Sequence, residues 1–316
     1  MANFQKCPTD KNSRYDSGVG RLVVTLGETG KIDLFGGGPG GIDLVVDVND
    51  PSVATVSSRP VARKGWVLTY AVTPLKAGNA MLEARLFDMS PTDYQAQRRV
   101  WFDKAVWAHC QISVMGGEFA QGDSRWGNLK YGSTNPAWKN VTWTSVGEAG
   151  CGPTSLAIIF DYLMRLDPHF PQGPACYPAT NPVETMNYTS QYGRTAVNGI
   201  PQGTSGDVMV NNIGRWWPEF AGEQIAGAGG KKIDTAISHL RAGRPLLFLA
   251  KGQTTYKYAA NGSKDTKKWP GHFMVLLGVE SDGNVFWISD PSRARHKFID
   301  RSELQNCFIW RIYRRA

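Results

Sequence analysis

The stretch Gly147-Glu148-Ala149-Gly150-Cys151-Gly152-Pro153-Thr154-Ser155-Leu156-Ala157-Ile158-Ile159-Phe160-Asp161-Tyr162-Leu163 puts a single thiol in front of an apolar run. Leu156, Ile159, Phe160, Leu163 and Leu166 recur at three- and four-residue steps, which predicts an amphipathic helix. Pro153 falls in its first turn, where a missing N–H costs nothing. Cys151 is therefore expected at a helix N-terminus, among unpaired N–H groups and the positive end of the macrodipole, and both favour thiolate over thiol. A free cysteine otherwise packs as a small, inert hydrophobe. Gly150 and Gly152 argue against that, since glycines permit close backbone approach and would leave the sulfur open to an incoming chain.

The partner segment is Trp269-Pro270-Gly271-His272-Phe273-Met274-Val275-Leu276-Leu277-Gly278-Val279-Glu280. It is followed by Ser281-Asp282-Gly283-Asn284 and then Val285-Phe286-Trp287-Ile288-Ser289-Asp290-Pro291. Two β-rich runs around a turn predict a hairpin with His272 opening its first strand and Asp290 closing its second. A two-residue Asp282-Gly283 turn would set 272 opposite 293 and leave Asp290 on the wrong face. A three-residue loop, Ser281 to Gly283 with Gly283 left-handed, sets 272 opposite 292 and returns Asp290 to the face of His272. The three-residue loop is the expectation. Before Pro291, Asp290 reads equally as a plain turn carboxylate or as one that orients an imidazole.

Four motifs in a fixed order extend this reading. They are Gln121-x-Asp123-x-Arg125-Trp126 with Tyr131-Gly132; Gly150-Cys151-Gly152-Pro153-Thr154-Ser155; Gly243-Arg244-Pro245-Leu246-Leu247 before Gly271-His272-Phe273; and Ser289-Asp290-Pro291. In that order, residues from about 114 to 316 resemble a papain-like cysteine peptidase of the bacteriocin-leader-processing, double-glycine-peptidase-like group. The resemblance implies that Cys151 attacks a carbonyl carbon, that His272 takes and returns the proton, and that Asp290 fixes the imidazole tautomer. It also implies an oxyanion hole from the Cys151 N–H and a glutamine side chain. Papain-type enzymes carry that glutamine six residues before the cysteine, where this chain has Ser145. Gln121 is the nearest upstream glutamine and is the candidate; Ser145 or backbone groups around Gly147 are the alternatives. Better-known members of the group sit on a membrane exporter, but no stretch here reaches the roughly 20 apolar residues of a spanning helix. No GxxxxGK[ST] phosphate loop is present either, so export coupling is not expected. Gly229-Gly230 and the run Gly36 to Gly41 read as turns rather than cleavage sites.

The chain has 316 residues and 41% hydrophobic content, enough for two packed domains. The fold class expected is α+β, with an all-β sandwich over 1–113 and a peptidase domain over 114–316 whose Cys-bearing helix packs on an antiparallel sheet. Seven short β-rich runs, at 22–25, 31–35, 42–48, 53–56, 67–72, 80–86 and 106–114, argue for the sandwich. Leu22-Val23-Val24-Thr25-Leu26-Gly27-Glu28, Asn49-Asp50-Pro51-Ser52-Val53-Ala54-Thr55-Val56 and Leu75-Lys76-Ala77-Gly78-Asn79-Ala80 resemble the bacterial Ig-like domains of surface and secreted proteins. The resemblance implies a domain that binds or spaces. Between the peptidase motifs, Val208, Ile213, Trp216, Trp217 and Phe220 form one helical stripe after Ser205, and Ile233, Ile237 and Leu240 another before Gly243. The tryptophan pair is expected in the core, with a substrate groove as the alternative. Leu246 to Ala250 reads as a buried strand, and the polar segment 251–268 as a loop able to act as a lid.

The net charge is +8 and the pI about 9.2. That suits an acidic partner, but the basic residues are dispersed apart from Arg293 to Lys297 and Arg311 to Arg315, and no nucleic-acid motif is present. His109, His169, His239 and His296 lack neighbours at metal spacing, so no metal and no cofactor are expected. Besides Cys151 there are Cys7, Cys110, Cys176 and Cys307, which allow three pairings or none. The N-terminus shows no apolar signal region. A cytosolic protein and one exported by a signal-independent machine both fit, and an Ig-like module on such a hydrolase suggests an effector delivered into another cell. The expected partners are a protein or peptide substrate and, for an effector, an inhibitor or immunity protein. A peptidoglycan amidase using the same thiol–imidazole chemistry, favoured by the basic charge, is one alternative. A silent binding module is the other.

Overall fold

In a computed structural model of the protein, the described residues exclude 1–2, 9, 11–12, 17–19, 26–27, 36–42, 76–77, 88–105, 116–118, 139–142, 167–181, 198–199, 228, 258–263, 293–297 and 316. Cys176, His169, His296, the glycine run 36–41 and the basic run 293–297 lie outside them. The chain is α+β and divides into two compact units, one of residues 1–116 with 259–262 and one of residues 117–258 with 263–316.

The first unit is built from strands alone. Its first sheet contains β1 (Asn3–Lys6), β4 (Gly30–Phe35), β8 (Val67–Pro74) and β6 (Ala54–Val56) in that order, with β7 (Ala62–Lys64) also paired to β8. The second runs β2 (Ser13–Asp16), β3 (Arg21–Thr25), β10 (Val106–Met115), β9 (Gly78–Phe87), β5 (Asp43–Val48). All pairings are antiparallel except β3 with β10. The alternation along β8 shows why these residues form strands: Leu68, Tyr70 and Val72 are buried while Val67, Thr69 and Ala71 are only partly so. Those three meet Ile32 and Leu34 of the same sheet and Leu22, Val24, Leu82, Cys110 and Ile112 of the other in one core. The seven β-rich runs of the sequence are seven of these ten strands. β1, β2 and β7 escape a sequence reading because Asn-Phe-Gln-Lys, Ser-Arg-Tyr-Asp and Ala-Arg-Lys are largely polar. Polar composition of this kind is usual at sheet margins.

The second unit is mixed. A six-stranded antiparallel sheet has the order β15 (Phe220–Gln224), β20 (Phe308–Arg314), β16 (Leu246–Lys257), β17 (Lys264–Val279), β18 (Val285–Ser289), β19 (Phe298–Asp300). Two small hairpins accompany it: β11 (Lys130–Tyr131) with β12 (Thr144–Ser145), and β13 (Arg194–Val197) with β14 (Ile200–Thr204). The helices are α1 (Val146–Ala149), α2 (Cys151–Leu166), α3 (Pro182–Tyr192), α4 (Gly206–Asn211), α5 (Ile213–Trp216) and α6 (Gly229–Arg241). Ile233, Ile237 and Leu240 of α6 pack with Leu246, Phe248, Met274 and Leu276 of the sheet, as their spacing predicts. α6 starts at Gly229-Gly230, so that pair is a helix entry.

Two expectations change, while α2 forms as its spacing predicts and is buried at every residue from Gly152 to Phe160. A helix apolar on all sides belongs inside the molecule. The stripe after Ser205 is broken into α4, which Ser205 caps through its hydroxyl, then α5, then β15. Trp217 joins Phe160, Phe220 and Tyr188 in an aromatic cluster with centroids 4.6 to 5.0 Å apart, so this tryptophan is core. The segment 251–268, expected as a loop, is instead strand at residues 251–257 and 264–268, paired out to Lys257 opposite Lys264, while 258–263 lie outside the described residues. Thr254, Thr255, Tyr256 and Thr266 give it strand propensity, and Thr255 and Thr266 hydrogen-bond across it at 3.0 Å.

Candidate active site

The turn before the cysteine is fixed first. Ser145 caps α1: its hydroxyl accepts from the Glu148 N–H, and the Glu148 carboxylate accepts from the Ser145 N–H at 2.8 Å, a complete capping box. The Gly147 N–H donates to Gly127 O at 2.8 Å and the Gly150 N–H to Val146 O at 2.7 Å, after which the chain enters α2 at Cys151. The flanking glycines serve close packing here. A Cβ on Gly150 would stand 2.4 Å from Val146 O, and one on Gly152 would stand 2.7 Å from Thr204 Cβ. This is the close backbone approach expected of them.

His272 reaches the site from β17, opposite Ala250, immediately after a bulge between Ala250 and Gly252. A bulge re-aims the side chain that follows it. The β17–β18 connection is a four-residue loop, Ser281 to Asn284, rather than the three-residue loop expected: the Glu280 N–H donates to Val285 O at 2.9 Å, and Gly283 is left-handed with φ 73°. Val279 faces Phe286 and Gly278 faces Trp287, one residue away from the expected register. A bulge at Leu277 removes the offset, so that Leu276 faces Ile288 and Val275 faces Ser289. Continued outward, that register sets 272 opposite 292, with Asp290 diagonal to His272.

The structure brings Cys151, His272 and Asp290 together. Nε2 of His272 lies 2.7 Å from Oδ1 of Asp290, the two side chains being 6% and 1% exposed. The same Oδ1 accepts from the Ser292 N–H at 2.9 Å and the Ser292 hydroxyl at 2.7 Å. With Nε2 engaged, Nδ1 is the ring nitrogen left for Cys151, whose sulfur is hydrogen-bonded to the His272 side chain and to the N–H groups of Phe273 and Gly152. Burial alone would raise the Cys151 pKa, but those hydrogen bonds and the His272 charge outweigh it and hold the thiol below its ordinary value. Burial likewise opposes charge on His272, yet Asp290 and the Cys151 sulfur push the imidazole up to about 9. The favoured state is a thiolate beside an imidazolium.

Gln121 stands at the same place. Its N–H donates to Pro291 O at 2.8 Å, next to Asp290, and its Nε2 donates to Gly147 O at 2.7 Å, four residues before Cys151. The loop carrying it is held by Trp126, whose Nε1–H donates to Ala120 O at 2.6 Å. Arg125 binds Asp123 at 3.0 Å and lies 4.3 Å over the Trp126 ring. These contacts account for the spacing Gln121-x-Asp123-x-Arg125-Trp126. Ser145, the alternative oxygen or donor, is committed to the cap.

Cys7, Cys110 and Cys307 are buried, and burial pushes Cys110 up to about 12 and Cys307 up to about 11. Among the described residues no group of three or more His, Cys, Asp or Glu side chains could hold a metal ion, and no helix is long and apolar enough to cross a membrane.

One side chain near the cysteine was missed by the sequence reading. Arg194, 2% exposed, lies with its guanidinium 4.8 Å over the Tyr131 ring. A lone arginine in Gly193-Arg194-Thr195-Ala196-Val197 matches no motif; a charge at the head of a β-branched run was the one available signal.

A thiol at a helix start, an imidazole on an adjoining strand and a carboxylate behind it make the chemistry of a peptidase-type hydrolase. Residues 134–316 match the Peptidase_C39 like family, and the chain belongs to that family. No curated protein matches it. Among solved structures it is similar to domains 4 and 5 of the S-layer protein SbsC, at 16% identity and a TM-score of 0.20, over 35% of this chain and 55% of that one. It is also similar to domains 5–6 of the same S-layer protein, at 11% identity and a TM-score of 0.21, over 93% of this chain and 97% of that one. At such scores neither bears on fold or function.

Proposed function

We propose that the second unit is a papain-like cysteine peptidase that hydrolyses a peptide bond of a protein substrate through Cys151, His272 and Asp290. The observation that carries this reading is the chain of hydrogen bonds from Asp290 through the His272 ring to the Cys151 sulfur. The thiolate attacks the carbonyl carbon, forming a C–S bond and an oxyanion. The Cys151 N–H and the second hydrogen of Gln121 Nε2, the first being on Gly147 O, stabilise that oxyanion. As the C–N bond breaks, imidazolium Nδ1 gives its proton to the departing amine. Water then adds to the thioester while His272 takes its proton, the C–S bond breaks, and thiolate and imidazolium return. Asp290 keeps the ring oriented throughout. The first unit is proposed to be an Ig-like sandwich that binds or spaces; the two-sheet core supports this.

The charge of +8 favours a second reading, a peptidoglycan amidase with the same triad, because an anionic cell wall attracts a basic protein. Growth of a bacterial host making the wild type or Cys151→Ala, retained in the cytoplasm or directed to the periplasm, separates the two. Cys151-dependent toxicity in the cytoplasm supports the peptidase. Toxicity confined to the periplasm supports the amidase. Peptide-library and peptidoglycan digests that are identical for wild type and Cys151→Ala would overturn both.

A further inference from the structure

We propose that Arg194 is a positioning residue for the nucleophile, a buried cation beneath the first turn of α2 that favours the Cys151 sulfur as thiolate. The inference rests on the triad reading and deepens it. Arg194 opens β13 and pairs with Thr204 of β14. Thr204 packs directly on the backbone of Gly152, where an added Cβ would be 2.7 Å from both its Cβ and its Oγ1. The Tyr131 hydroxyl hydrogen-bonds to Thr204 Oγ1 at 2.7 Å and to Thr189 Oγ1 at 3.1 Å, and its ring lies under the guanidinium. Arg194, Tyr131 and Thr204 thus form one layer beneath the first turn of α2.

Among the described residues, that layer offers the cation no carboxylate. Nη2 of Arg194 donates to Thr144 Oγ1 at 3.2 Å, while Nε and Nη1 are buried without a hydrogen-bond partner among the described residues. A buried guanidinium with no counter-charge is costly. The ionisable groups that act on it are Tyr131 and Cys151, and burial keeps the Tyr131 phenol neutral by pushing its pKa up. Among the described residues, Cys151 as thiolate is the remaining anion. The sulfur is hydrogen-bonded to His272 and to the N–H groups of Phe273 and Gly152, Tyr131 and Arg194 are coupled to it through charge, and Asp290 stands behind His272. With thiolate and carboxylate set against imidazolium and guanidinium, the four charges cancel.

The experiment measures the pH dependence of iodoacetamide alkylation at Cys151 in the full chain, for wild type, Arg194→Lys, Arg194→Gln and Arg194→Met. The two neutral variants should raise the midpoint by about one pH unit, slowing alkylation about tenfold below it, and Arg194→Lys should restore most of the wild-type midpoint. Neutral variants that fold and keep the wild-type midpoint overturn the inference. A second measurement needs no variant at Arg194 to fold: the Arg194 Nε–H resonance of the wild type should titrate at the alkylation midpoint and should not do so in Cys151→Ala. A resonance that ignores that midpoint overturns it as well. A wild-type thiol with an ordinary cysteine midpoint would defeat the triad reading itself, a result distinct from a low midpoint indifferent to Arg194.

Discussion

Cys110, buried in the sandwich core, and Cys151, half-buried at the head of α2, move in opposite directions. The first is pushed up to about 12 and stays a thiol; the second is held below the ordinary value. Burial raises both, so burial does not decide. At Cys110 the surroundings are Leu82, Ile112 and their neighbours in an apolar core. At Cys151 they are an imidazole and two N–H groups. Reactivity is set by which donors the fold brings within hydrogen-bonding distance of sulfur.

The sharpest break of that contrast is Cys151→Ala, which should abolish hydrolysis while leaving the unfolding transition in place; wild-type turnover would refute the assignment. Next, Gln121→Ala should lower kcat by about 10² to 10³, the usual cost of one oxyanion donor, with little effect on the alkylation midpoint. Equal losses in both would make it a structural residue. His272→Ala should slow Cys151 alkylation at neutral pH by at least about tenfold, since the thiol returns toward or above the free-cysteine range. Unchanged alkylation kinetics would separate the pair. The pH profile of kcat/KM should be bell-shaped. Rate rises as the thiol ionises, below the ordinary cysteine range, and falls as the imidazolium loses its proton near the His272 value of about 9. A profile still rising beyond that value would reverse the roles of the two groups. The smallest effect is expected at Cys110→Ala, a loss of about 1 kcal/mol in stability with unchanged turnover, read by urea denaturation. In the wild type Cys110 should label only on unfolding.

What the sequence revealed follows from how local the cause is. The seven apolar runs of the sandwich carry their own signal in β-branched residues, and Ser205, Gly243 and the α6 stripe mark their helices by residues in place. The polar strands β1, β2 and β7 carry none, because pairing with β4, β3 and β8 makes them strands. The β17–β18 loop differed from expectation by one residue and the Leu277 bulge by another, so the relation between positions 272 and 290 was legible although neither local feature was. Arg194 lay beyond reach since its meaning depends on Tyr131, Thr144 and Thr204, brought to it by separate segments.

Gln121 holds Pro291 O with its backbone and Gly147 O with its side chain. In mechanical terms it is a tie-rod between the strand end that carries the acid and the turn that carries the nucleophile. Parting those two banks means breaking one or both of its bonds. The separation between the Asp290 strand end and the turn before Cys151 is therefore set at Gln121, and it changes only when one of those bonds gives way.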